Sequence, residues 1–103
     1  MHICTYNISV RFTWDDDKAE EVIAEHHVEF SKIIDIFEDP YAIEFVDERH
    51  SSDEEVRYAI IGLTGYGLTY LVYTEPSADE LHFITTRLAE KWMEDDYEEN
   101  KRR

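Results

Sequence analysis

A chain of 103 residues with 43% hydrophobic and 14% aromatic side chains carries enough apolar material for one domain with a modest core, which excludes a disordered segment. Its 25 acidic against 10 basic side chains give a formal net charge of −15, which repels polyanions and attracts basic partners, so composition by itself counts against nucleic-acid binding. Cys4 stands alone and cannot close an internal disulfide, no apolar run approaches a membrane span, and residues 1–11 lack the layout of a signal peptide, so the expected location is the cytoplasm.

Residues 8–13 carry β-branched and aromatic side chains in partial alternation and predict a strand; residues 1–10 are an N-terminal extension or an extra strand. Thr13 or Asp15 can cap a helix whose Asp15-Asp16-Asp17 start suits the positive end of the dipole, and Ala19, Val22, Ile23 and His26 follow as one amphipathic stripe. A second short helix is expected from Phe30, Ile33, Ile34 and Phe37, with Ser31 as N-cap and Asp39-Pro40 as its stop. Residues 41–46 predict a strand and residues 47–55 an acidic loop. Two β-rich runs, 56–64 and 68–74, flank Gly65-Tyr66-Gly67 and predict a hairpin. Residues 75–79 form a turn before a last strand at 81–86, and a final helix is expected from about Arg87, with Leu88, Ala89, Trp92, Met93 and Tyr97 on one face. The order predicts an α+β domain spanning 1–103, an antiparallel β-meander sheet packed by N-terminal helices and a C-terminal helix.

Several segments resemble the BrnT family of toxins. Its aromatic-x-Trp-Asp-x-x-Lys opening is matched by Phe12, Trp14, Asp15 and Lys18, and its Lys-His-Gly-Val-x-Phe segment reads Glu25-His26-His27-Val28-Glu29-Phe30 here. Ile36-Phe37-Glu38-Asp39-Pro40, the Arg57 to Ile61-Gly62 strand, Tyr73-Thr74, Ile84-Thr85-Thr86-Arg87-Leu88-Ala89 and Tyr97 follow in the family's order, so the resemblance runs from about Arg11 to Tyr97. It implies a RelE-like fold, metal-independent endoribonuclease activity with no cofactor, and a small ribbon-helix-helix antitoxin as partner. The antitoxin is expected to be basic, RNA is the implied substrate, and a homodimer within a toxin–antitoxin complex is a further expectation. A family member that has lost catalysis and binds a basic protein stays open as an alternative. Glu25 replaces the family's lysine, His27 its glycine and Val22 its asparagine, and the last helix carries Glu94, Asp95 and Asp96 where relatives carry arginines.

RNA cleavage without a metal requires a base near the 2′-hydroxyl, cations on the phosphorane and an acid for the leaving 5′-oxygen. The candidates are Lys18, His26, Arg57, Arg87 and Tyr97. Arginine suits the phosphorane because its planar fork matches phosphate oxygens, whereas His26, Lys18 and Tyr97 can move protons. Each also has a structural reading. Lys18 can pair with Asp15 or Glu21 on its helix, His26 can pack at the core edge, and Arg57 can form a cross-strand ion pair. Arg87 at a helix N-terminus would oppose the dipole and need a compensating acid or anion, which singles it out. A metal role for Asp15-Asp16-Asp17 or His26-His27 is not expected, because adjacent helical side chains splay apart.

Overall fold

The computed structural model describes residues 10–49 and 51–103; the expected extension at 1–10 lies outside them except for Val10. The elements are β1 (Arg11–Thr13), α1 (Asp16–His26), two 3₁₀ turns (Phe30–Lys32 and Ile34–Glu38), β2 (Ile43–Val46), β3 (Tyr58–Thr64), β4 (Gly67–Ser77), β5 (Glu80–Leu88) and α2 (Lys91–Lys101). They build a mixed α+β fold around one five-stranded sheet in the order β1-β5-β4-β3-β2.

The antiparallel meander holds from β2 to β5, but β1 corrects the expectation of an all-antiparallel sheet. It runs parallel to β5, with Arg11 opposite Glu80 and Thr13 opposite His82. A parallel neighbour cannot be joined by a tight turn, and here α1, the 3₁₀ turns and three strands separate the pair. Thr13 fastens the junction: its hydroxyl lies 2.8 Å from Glu80 Oε2 and 2.8 Å from His82 Nδ1.

The second helix is not α-helical. Phe30, Ile33 and Ile36 are all buried at three-residue spacing, and that period matches the three residues per turn of a 3₁₀ segment. Glu29, not Ser31, precedes the first turn. The last helix also starts later than expected. Strand pairing continues past the expected end at Thr86 through Arg87, opposite Tyr70, and Leu88, opposite Thr69, and α2 begins only after Glu90. Met93 and Tyr97 are buried on α2, whereas Leu88 and Trp92 are half-exposed.

The two faces of the sheet are covered differently. On one, Phe12, Val22, Phe30, Ile33, Ile36, Ile60, Leu71 and Phe83 pack beneath α1 and the 3₁₀ turns. Phe83 is the hub, with ring centroids of Phe30, Phe12 and Trp14 at 5.7, 5.7 and 5.8 Å, in tilted and offset geometries favoured by ring quadrupoles. On the other face, Ile61 meets Met93 and Tyr97 of α2, with Tyr70 and Leu68 at the margin. Gly62 brings the second 3₁₀ turn onto β3: a Cβ there would stand 2.9 Å from Ile36 Cγ1 and 3.2 Å from Ala42 Cβ. In the β3–β4 turn only Gly67 has a positive φ, 104°, so Gly65 is not needed for its backbone freedom.

Candidate functional site

Side chains two apart on a strand share a face, and the register fixes which ones meet across strands. Tyr70 of β4 lies opposite Ile61 of β3 and opposite Arg87 of β5; Val72 lies opposite Ala59 and Thr85. This is the α2 face of the sheet, because Tyr70 and Ile61 pack towards Met93 and Tyr97. Arg57, two residues before Ala59, continues the same alternation past the start of β3.

A bulge shapes the next wall. Val72 pairs with Thr85 but Tyr73 pairs with Phe83, so Ile84 is an extra residue on β5. Bulges of this kind re-aim side chains. The result is a groove of about 290 Å³ lined by His26, Arg57, Tyr70, Val72, Ile84, Thr85 and Arg87. His26, Arg57 and Arg87 come to it from three distant stretches of chain: the C-terminus of α1, the approach to β3 and the end of β5.

His26 is the last residue of α1, and His27 turns the chain there in the left-handed conformation (φ 59°, ψ 32°), donating its N–H to the Ile23 carbonyl at 2.9 Å. That turn is the step by which α1 stops and leaves the imidazole at the groove. Arg87 differs from its expected setting. It sits within β5, not on a helix N-terminus, so a dipole conflict is not what needs compensation. Its guanidinium stands over the Tyr70 ring at 5.3 Å and pairs with Glu90 at 2.6 Å. Arg57 donates from Nε to Glu55 at 3.1 Å, and its backbone is tied into the loop by Ser51 Oγ and Asp47 N. His26 Nε2 lies 3.7 Å from Glu25 Oε2.

Tyr70 is the groove residue that sequence reasoning missed. Burial raises its phenol pKa above the ordinary range, and a hydrogen bond to the buried Asp47 carboxylate adds to the rise, partly opposed by Arg87. The hydroxyl therefore stays protonated while the ring supports Arg87. Nothing in the local sequence marks Tyr70; only its register opposite Arg87 does.

Two candidates lie elsewhere. Lys18 lines a separate acidic hollow with Asp15, Asp16, Asp17 and Glu21, and pairs with Glu21 at 3.2 Å. Tyr97 is buried beneath α2 and donates to Asp39 Oδ2 at 2.7 Å, the oxygen that also accepts Leu63 N at 2.8 Å. Burial and then Asp39 push the Tyr97 phenol well above its usual range. Burial works against the Asp39 carboxylate, but the N–H groups of Leu63 and Tyr41, then Tyr97 and Lys101, outweigh it and hold its pKa below normal. Among the described residues, no three His, Cys, Asp or Glu side chains converge as a metal-ligand set, and no helix is long and apolar enough to cross a membrane.

The model of a protein family described as the ribonuclease toxin BrnT of type II toxin–antitoxin systems matches residues 14–92. No curated protein matches the chain. The structure is similar to the crystal structure of the Brucella abortus ribonuclease toxin BrnT, with a TM-score of 0.63 over 80% of this chain and 99% of that one, at 20% identity. At that identity the likeness is one of fold.

Proposed function

The chain belongs to the BrnT family of ribonuclease toxins from type II toxin–antitoxin systems, and on that premise we propose that it is a metal-independent endoribonuclease whose site is the groove between His26, Arg57 and Arg87. The observation that carries this reading is the convergence of those three side chains from separate elements. In a chain of net charge −15, a place where two arginines and a histidine meet is where a phosphodiester can be held.

The roles follow from chemistry. A neutral His26 imidazole accepts the proton of the RNA 2′-hydroxyl as its oxygen attacks the adjacent phosphorus. Arg57 and Arg87 bind the non-bridging oxygens and stabilise the charge that grows on the phosphorane. The bond to the 5′-oxygen breaks, a 2′,3′-cyclic phosphate remains, and the leaving oxygen takes its proton from water in the open groove. Tyr70 holds the Arg87 plane in place. Lys18 and Tyr97, which lie outside the groove, serve helix pairing and α2 anchoring in this scheme.

The scaffold in this reading is RelE-like, the site of action is the cytoplasm, and the antitoxin is a basic ribbon-helix-helix protein attracted by the acidic surface. A homodimer within the toxin–antitoxin complex fits the same scheme. Arg87→Ala is expected to slow cleavage of a labelled RNA by about 10²- to 10³-fold, the usual loss for one transition-state cation or donor. The same substitution is expected to relieve growth arrest on induced expression. RNA left intact by the purified wild type would sink the reading. The net charge of −15 would then favour a non-catalytic module for a basic protein partner.

A further inference from the structure

Arg57, Arg87 and His26 of the groove each have a carboxylate supplied by their own neighbourhood. Glu90, three residues after Arg87, pairs with it at 2.6 Å; Glu55, two residues before Arg57, pairs at 3.1 Å; Glu25, the residue before His26, lies at 3.7 Å. These carboxylates are about half-exposed, at 48%, 52% and 60%, so they stand at the rim rather than in the core. The arginines they hold are less exposed, at 41% and 30%.

We propose that Glu55 and Glu90 are internal competitors for the phosphate: each engages a guanidinium N–H that substrate would use, so the groove is latched until RNA displaces them. The inference rests on the reading of the groove as the RNA site. A carboxylate and a phosphate present the same pair of acceptor oxygens to the planar fork, and both cannot use the same donors. Exposed ion pairs are weak, so the latch can open, yet it lowers affinity for isolated phosphodiesters. The scissile phosphate, held by both arginines, must displace both carboxylates, so the two latches together lower the affinity of the groove for RNA.

The test measures binding of a fluorescent single-stranded 2′-O-methyl RNA, which lacks the attacking hydroxyl, by anisotropy. Glu55→Gln and Glu90→Gln are expected to bind roughly two- to fivefold more tightly, the equivalent of releasing one exposed ion pair. Glu99→Gln, whose carboxylate pairs with Arg103 on α2, is the control for net charge alone. The gains should vanish in the Arg57→Ala/Glu55→Gln and Arg87→Ala/Glu90→Gln double variants. Binding no tighter than in Glu99→Gln, or gains that persist without the arginines, would overturn the latch. Failure of the underlying reading looks different: Arg87→Ala would then leave cleavage of ordinary RNA unchanged, whatever the glutamates do.

Discussion

Tyr97 donates its hydroxyl to a carboxylate that already accepts the N–H groups of Leu63 and Tyr41, so one phenol joins α2 to the end of β3 and to the loop after the second 3₁₀ turn. Tyr97→Phe is expected to cost about 1.5 kcal/mol at neutral pH, the low end for a hydrogen bond to a charged group. The pH dependence has a definite sign. Asp39 is depressed in the fold, so its contribution is complete above its ordinary value of 3.8 and is lost as pH falls through that value towards the depressed one. Tyr97 is raised, so its contribution is complete below its ordinary value of 10.0 and is lost as pH climbs beyond it. Urea unfolding across pH should therefore show the gap between wild type and Tyr97→Phe narrowing at both extremes. A constant gap from pH 7 to pH 3 would show that Asp39 titration does not matter to folding. At this scale sequence reasoning named three groove residues, His26, Arg57 and Arg87, through family motifs. It could not see that Tyr97 faces a carboxylate 58 positions away, because no periodicity encodes that meeting.

Among the elements, the end of α1 has the most instructive geometry. His27 occupies a left-handed position where the family motif carries glycine, and a Cβ is disfavoured there. His27→Gly is expected to stabilise the fold by roughly 1 kcal/mol, the cost of a left-handed conformation for an L-residue, less the greater entropy of glycine in the unfolded chain. Thermal melting reads this directly, and a destabilised variant would mean that the imidazole makes contacts worth more than the strain. Element type was legible where period and punctuation agree: the α1 stripe, the β3–β4 hairpin and its glycine. It failed where two periods overlap. Phe30, Ile33, Ile34 and Phe37 read as a helical stripe, but the fully buried set is Phe30, Ile33 and Ile36, the spacing of a 3₁₀ path. It failed again at Arg87 and Leu88, where the local signal suits a helix start and the strand is imposed by pairing with β4. The same holds for the bulge at Ile84, which exists only relative to a partner strand.

For the whole molecule, a net charge of −15 opposes compaction through self-repulsion, and salt screens that repulsion. Raising ionic strength from 10 to 150 mM shortens the screening length from about 30 to about 8 Å. The melting temperature should rise by about 4 °C, corresponding to roughly 0.5–1 kcal/mol for a domain of this size. Under the proposed role of the groove, affinity for single-stranded RNA should fall over the same range, because added cations displace the Arg57 and Arg87 contacts to phosphate. A melting temperature that falls with salt would show that attractive pairs, not self-repulsion, dominate the surface. The parallel β1–β5 seam has a consequence in time. Arg11 and Thr13 are joined to Glu80 and His82 across 69 positions, and Phe12 packs on Phe83. Such distant contacts are slow to form, since the intervening chain must first be brought to order. During synthesis the opening strand has nothing to pair with until the Glu80 to Phe83 stretch emerges, and that stretch leads directly into Ile84, Thr85 and Arg87. The aromatic core and the groove are thus completed by the same late arrival, and neither can form until synthesis has passed Arg87.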